Sequence, residues 1–135
     1  MLMTDQQMVQ RMASLLENRV APFTRNCIGT AFYVLGFTND DRYIGNCETR
    51  GETGFVDHVL QQKMVPVDNP IQGSLAVFLD NRNAGIERYI HMAVTLSGFA
   101  PFNVFHRKEI DGICEISKLG RLVSLGGTPE FYVKR

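Results

Sequence analysis

The sequence has no excess of charge of either sign, since fourteen Lys and Arg residues balance fourteen Asp and Glu residues. A nucleic-acid-binding domain usually carries a basic stripe, and the densest basic run here is only His106-Arg107-Lys108. We therefore expect no nucleic-acid partner. The same scarcity of basic clusters argues against binding to an anionic membrane surface.

Long apolar runs are also absent, because none approaches the roughly twenty residues that span a bilayer. The segment from Met1 to Gln7 has neither a basic start nor an apolar stretch of the kind that a signal peptide carries. The sequence as given is thus typical of a cytoplasmic protein, while a secreted or delivered form stays open. Its 135 residues predict one domain over residues 1–135.

Cysteine is scarce, and the three cysteines Cys27, Cys47 and Cys114 are an odd number. No two of them have the spacing of a zinc knuckle, so we expect no metal and no cofactor. Reduced thiols are the default interpretation. A structural or redox role, with a Cys47–Cys114 or a Cys27–Cys47 disulfide, stays as an alternative.

The hydrophobic pattern predicts helices in the first half of the chain and strands in the second. The expected helices are about Asp5 to Asn18, Cys27 to Leu35 between the cap residues Asn26 and Gly36, and Phe55 to Met64. The expected strands are Ser74 to Leu79, Arg88 to Leu96, Phe102 to Phe105, Leu122 to Ser124 and Glu130 to Lys134. Helices followed by an antiparallel meander predict an α+β fold.

One cysteine and two histidines stand out as candidates for chemistry. Cys27 lies at a predicted helix N-terminus, where the partial positive charge favours the nucleophilic thiolate. A thiolate needs a neighbour that moves protons, usually a histidine. His91 and His106 lie on two predicted neighbouring strands and could pack side by side, whereas His58 is expected to face water.

A simpler interpretation of these residues is structural. A cysteine in an apolar segment is usually a small buried residue, and a strand histidine is usually a core or surface group. Other catalytic designs find less support, since the sequence has no Gly-x-Ser-x-Gly elbow and no glycine-rich phosphate loop. The acidic pairs Asp40–Asp41 and Glu109–Asp111 fall in predicted turns and are expected to be solvated.

Several segments resemble the NlpC-type papain-like cysteine peptidases. The nucleophile helix of that family is similar to the run from Asn26 to Gly36, and its Gly-Asp-Leu-Val-Phe-Phe strand is similar to the run from Gln72 to Phe78. The strand of the base, the strand of the orienting residue and the closing strand are similar to Tyr89 to Leu96, Phe105 to Lys108 and Phe131 to Arg135.

The resemblance implies a papain-like fold with helices packed on an antiparallel sheet. It also implies that Cys27 is the nucleophile, that His91 is its base and that His106 orients His91. The implied activity is that of a cysteine peptidase or amidase, which cleaves an amide bond of a peptidoglycan-derived or similar peptide through a thioester. Asn26 stands where the family usually has Asp, and Ile28 where it has Ser. These departures keep a second hypothesis open, a catalytically inactive papain-like binding or structural module.

Overall fold

The structure is a computed structural model that describes residues 5–17, 22–45, 48–51, 54–80, 82, 85–97 and 102–135, excluding the side chains of 124–126. The described residues form four helices and six strands. In chain order these are α1 (Asp5–Leu16), α2 (Cys27–Leu35), α3 (Phe55–Lys63), β1 (Met64–Val67), β2 (Leu75–Asp80), β3 (Arg88–Thr95), β4 (Asn103–Arg107), β5 (Cys114–Lys118), α4 (Leu119–Gly126) and β6 (Glu130–Lys134).

The six strands form one antiparallel sheet in the order β1-β6-β2-β3-β4-β5. Strands β2 to β5 follow one another as a meander, of which the sequence predicts β2, β3 and β4. The C-terminal strand β6 lies between β1 and β2. The predicted α+β class is therefore confirmed.

Side chains on the two faces of the sheet enter two separate cores. The first core cluster joins the N-terminal helices to one face through residues such as Leu75, Val77, Met92, Val94 and Phe105. The alternate residues of the same strands enter the second core cluster with α4, among them Ala76, Phe78, Ala93, Val104, Leu119 and Leu122. Because side chains alternate along a strand, these two lists mark opposite faces.

Helix α2 begins and ends where its cap residues predict. The side chain of Asn26 accepts a hydrogen bond from the backbone N–H of Gly29 at 2.9 Å, which satisfies one of the first-turn donors. Gly36 has a φ of 89°, in the left-handed region that other residues adopt only at a cost. Its N–H donates to the carbonyls of Phe32 and Tyr33 and so caps the end of the helix. Local signals thus place Cys27 as the first residue of a buried helix.

Some sequence-based expectations were wrong. The segment from Leu122 to Ser124, expected as a strand, lies in helix α4, and strand β5 was not predicted. Met64 begins strand β1 rather than ending α3, and Pro66 lies in that edge strand, where a missing N–H is tolerated. Helix α1 ends at Leu16, and the expected end at Asn18 lies outside the described residues. No described helix is long and apolar enough to cross a membrane.

Candidate active site

Cys27 is the first residue of α2, and its side chain is 7% exposed. The first intrahelical hydrogen bond runs from Thr30 N to Asn26 O, so the amide of Cys27 precedes the helical ladder. Its Sγ atom lies 3.9 Å from the carbonyl oxygen of Ile90 on β3, a hydrogen-bonding contact. The helix N-terminus therefore holds this thiol against the strand that carries His91.

Asn26 fixes the start of the helix against a neighbouring loop. Its Oδ1 accepts from Ile44 N at 3.1 Å, and its Nδ2 donates to Ile44 O at 2.7 Å. Asn26 is only 1% exposed, so these bonds are shielded from water. Asn26 is thus a cap and a clamp that orients Cys27.

The two candidate histidines are in direct contact. Strands β3 and β4 pair with Val94 opposite Phe105, which places His106 on the same face as His91 and diagonal to it. His91 Nε2 lies 2.9 Å from His106 Nδ1, and the rings meet edge to face at 81°. The prediction that His106 presents a ring nitrogen to His91 from the adjacent strand is confirmed. At 3% exposure, His106 is not a surface residue.

A hydrogen-bond chain extends beyond His106 to residues on β5. His106 Nε2 lies 3.1 Å from Ser117 Oγ and 3.3 Å from Glu115 Oε1, while Ser117 donates to Glu115. An ionised carboxylate only accepts hydrogen bonds, so His106 Nε2 is the donor at this end. Neutral His106 then has an unprotonated Nδ1, which accepts from His91 Nε2–H. The chain therefore leaves the lone pair of neutral His91 on Nδ1.

Both histidines are held in the neutral form. Burial and, to a smaller extent, the neighbouring His106 lower the pKa of His91 from 6.5 to about 4. Burial also lowers the pKa of His106, while Glu115 works in the opposite direction. At neutral pH His91 is thus an unprotonated acceptor, which is the form that a general base requires.

Cys27 and His91 line one small cavity of about 130 Å³ at the end of β3 and β4. The chain after Arg107 forms part of the wall of this cavity with Lys108, Glu109 and Ile110. The same turn is fastened to the residue next to Asn26, because Asp111 N donates to Arg25 O at 2.9 Å and Asp111 Oδ1 accepts from Arg25 N at 2.9 Å. These two bonds hold the turn beside the cavity that Cys27 and His91 line.

The thiol and the imidazoles belong to opposite sides of the sheet. Arg107 points to α2, where its Nε donates to Thr30 Oγ1 at 2.8 Å. The preceding residue, His106, consequently points to the other face, and the His91 ring packs 5.9 Å from that of Phe78 in the second core cluster. Cys27 belongs to the first core cluster. Cys27 from one side and His91 from the other nevertheless line the same cavity.

The pairing of β3 with β2 is irregular next to His91. The register with β2 shifts between Phe78 and Leu79, which pair with His91 and Tyr89, so Ile90 is an extra residue on β3. Such a β-bulge bends the strand locally and re-aims the neighbouring side chains. The bulged residue is also the one whose carbonyl oxygen contacts Cys27 Sγ.

The other candidate residues are separated from this site or belong to the core. His58 is exposed on α3, as predicted. Cys114 is a buried thiol like Cys27, and burial raises its pKa. Cys47, and with it both predicted disulfides, lies outside the described residues. No metal-binding group of three or more His, Cys, Asp or Glu residues occurs in the part of the chain that the structure describes.

Asp41 corrects the expectation that the acidic pairs are solvated. It is 6% exposed and accepts from Arg107 at 2.7 Å, with Arg25 at 3.6 Å. Glu115 and Ser117 were not predicted as site residues from the sequence. Their signal, two polar residues at a spacing of two, becomes readable only when β5 is known to pair with the strand of His106.

The comparisons with known proteins add no relative. No family model, no curated protein and no solved structure matches this chain. The likeness to NlpC-type peptidases thus rests on the quoted segments alone. The function has to be argued from the geometry of Cys27, His91 and His106.

Proposed function

We propose that the protein is a cysteine-dependent hydrolase, a peptidase or amidase with a papain-like arrangement of its site. The observation that carries the proposal is the chain from Glu115 through His106 to His91, because it leaves Nδ1 of His91 as an acceptor. His91 lines the same cavity as Cys27, which begins a helix. Nucleophile, base and orienting residue are the three parts that this chemistry needs.

The proposed reaction begins with transfer of the Cys27 thiol proton to His91 Nδ1. This requires the sulfur to move from the Ile90 carbonyl to the ring of the next residue, and catalytic hydrogen bonds are often long before substrate binds. The thiolate attacks the amide carbonyl, and the N–H of Cys27 donates to the developing oxyanion. His91 returns the proton to the leaving amine, which gives a thioester.

Hydrolysis of the thioester completes the cycle. His91 takes a proton from water as the water attacks the thioester carbonyl, and it then protonates the departing thiolate of Cys27. His106 acts as a positioning residue, since its Nδ1 holds the His91 proton on Nε2. The resemblance to NlpC-type peptidases favours a peptide amide of the cell-wall kind as the substrate.

An activated ester tests the proposal without knowledge of the natural substrate. With p-nitrophenyl acetate, we expect a burst of nitrophenol and an acetyl group on Cys27, identified by peptide mass spectrometry. Cys27→Ala and His91→Ala should abolish the burst. The control variants Cys114→Ala and His58→Ala should retain it, because neither residue lines the cavity. Acetylation spread evenly over the cysteines, with no burst, would refute an activated Cys27.

The role of His106 has a separate test. His106→Asn keeps a side-chain acceptor for His91 Nε2–H, so we expect measurable activity with a shifted pH profile. His106→Ala removes the acceptor and should lose most of the activity. Equal activity of the alanine variant and the parent would leave a Cys27–His91 dyad.

The second candidate function is a catalytically inactive binding or structural module. The observation that favours it is the placement of His106 and the His91 ring on the sheet face opposite α2. In that case the chain from His91 to Glu115 is a satisfied core network, and Cys27 is a small buried residue. The module predicts that iodoacetamide at neutral pH labels Cys27 no faster than Cys114, whereas the hydrolase predicts a much faster reaction at Cys27.

A further inference from the structure

A second and larger cavity, of about 680 Å³, lies beside the segment that follows α2. We call it the loop pocket. Its wall is made by Thr38, Asn39, Asp40, Arg42, Tyr43, Ile44, Gly45, Glu48 and Phe55. None of the candidate catalytic residues lines it.

Glu48 is the unusual residue of the loop pocket. Its Oε1 atom is buried and has no hydrogen-bond partner among the residues that the structure describes. Burial raises the pKa of the carboxyl group above its ordinary value. A hydrogen bond from the backbone N–H of Val56 lowers the pKa, and the nearby Asp57 raises it. A buried carboxylate oxygen without a partner is costly, and a cationic group beside the carboxylate would reduce that cost.

Two glycines make room for this carboxylate. A Cβ atom on Gly54 would overlap Oε1 of Glu48, and a Cβ atom on Gly45 would overlap Oε2. Gly54 has a φ of −78° and a ψ of 179°, which any residue can adopt. The absence of a side chain at Gly54 is therefore explained by space for the carboxylate rather than by backbone conformation.

The positive charge in the wall is already engaged. Arg42 pairs with Asp40 at 3.5 Å, and its guanidinium lies 4.6 Å from the centre of the Phe23 ring. Among the described residues no cation forms an ion pair with Glu48. Asp57, whose charge acts on Glu48, accepts hydrogen bonds from the Tyr89 hydroxyl and from Gly51 N. The loop pocket thus has a net negative interior.

Aromatic rings complete the wall. Phe55 is 45% exposed and Tyr43 is 40% exposed, although both have large apolar surfaces. An aromatic ring attracts a cation to its face and also covers an apolar body. A carboxylate together with exposed rings is the combination that binds an organic cation.

We propose that the loop pocket is a binding site for an organic cation, an ammonium or amidinium group on an apolar or aromatic body. Glu48 receives the charged group, and Phe55 and Tyr43 cover the body. A metal ion fits less well, because Ca²⁺ and Mg²⁺ need several oxygen ligands and no acidic cluster of that kind occurs among the described residues. An anion would face the charge of Glu48.

The loop pocket is connected to the proposed active site but does not depend on it. Ile44, in its wall, is held by both polar atoms of the Asn26 side chain, next to Cys27. A cation bound there would therefore lie near the start of α2. Binding can be measured whether or not the protein hydrolyses anything.

Three probes of one shape test the charge preference: benzylammonium, benzyl alcohol and benzoate. Each is titrated into the unaltered protein while amide chemical shifts are recorded by NMR. We expect benzylammonium to bind, with shift changes centred on residues 38–45, 48 and 55, and to bind at least about tenfold more tightly than the other two. Equal binding of the three probes, or tighter binding of benzoate, would overturn the proposal.

Variants then assign the charge to Glu48. Glu48→Gln should weaken benzylammonium binding at least about tenfold, whereas Asp40→Asn should change it little because Asp40 is paired with Arg42. Gly54→Ala keeps the carboxylate but displaces it, so affinity should fall. Gly120→Ala is the matched control, since a Cβ atom there contacts nothing within 4 Å. Unchanged affinity in both Glu48→Gln and Gly54→Ala would also reject the site.

Discussion

Burial of His91 should make the folded protein sensitive to acid. In the unfolded chain the imidazole has its ordinary pKa of 6.5, and in the folded protein the pKa is about 4. The unfolded state therefore binds more protons between these two values. The stability that the neutral ring contributes is fully present above pH 6.5 and is lost as the pH falls toward 4.

The size of the effect follows from the two pKa values. One pKa unit corresponds to about 1.4 kcal/mol, so the complete loss approaches about 3 kcal/mol. Between about pH 8 and about pH 5 the linkage relation gives a loss of about 2 kcal/mol from His91 alone. His106 changes in the same direction, since burial lowers its pKa as well.

Urea denaturation at these two pH values measures the loss, and a variant isolates the part due to His91. Carboxylates also titrate in this range, so the quantity of interest is the pH-dependent loss in the parent minus that in His91→Gln. We expect a difference of about 2 kcal/mol. His58→Gln, on the exposed side of α3, is the control and should lose stability as the parent does. If His91→Gln and the parent lose equal stability, the ring is not buried as the structure shows.

Three further predictions concern residues that hold the site in place, each measured as the free energy of unfolding in urea. Asn26→Ala removes a helix cap and the clamp on the neighbouring loop, so it should cost about 2 kcal/mol. Arg107→Met leaves the buried carboxylate of Asp41 without its closest cation and should cost about 3 kcal/mol or more. Gly29→Ala should prevent stable folding, because its Cβ atom would overlap the backbone carbonyl of Arg42.

Local sequence signals correctly predicted the position of Cys27 at a helix N-terminus. The caps Asn26 and Gly36 determine the ends of α2, because they satisfy groups that the helix itself leaves unpaired. They place Cys27 at the N-terminus without any knowledge of the rest of the chain. The strand order that brings His91 beside His106 also follows from two nearby apolar runs with a turn between them.

Helix α4 shows where the sequence was misread. Leu119, Leu122 and Val123 have the spacing of a helix face, and Leu122 is buried in the second core cluster. The short apolar run from Leu122 to Ser124 was interpreted as a strand, and periodicity alone rarely separates the two for short runs. Strand β5 was missed because its alternate residues, including Ile116, are exposed at the edge of the sheet.

The face on which a side chain lies is the property that decides between the two proposed functions, and local pattern does not determine it here. A shift of one residue in a strand moves every later side chain to the other face, and β3 contains such a shift at Ile90. Regular alternation would place Tyr89 and Met92, which are three positions apart, on opposite faces. Both lie in the first core cluster, so the bulge falls between Tyr89 and the His91 ring. The same bulge presents the carbonyl of Ile90 to Cys27. Deletion of Ile90 would restore regular alternation and leave Tyr89 and His91 on opposite faces, as they lie now, but it would remove the carbonyl that Cys27 Sγ contacts. The bulge therefore accommodates an extra residue in β3 without moving His91 to the face of α2, and it supplies the contact of this strand with Cys27.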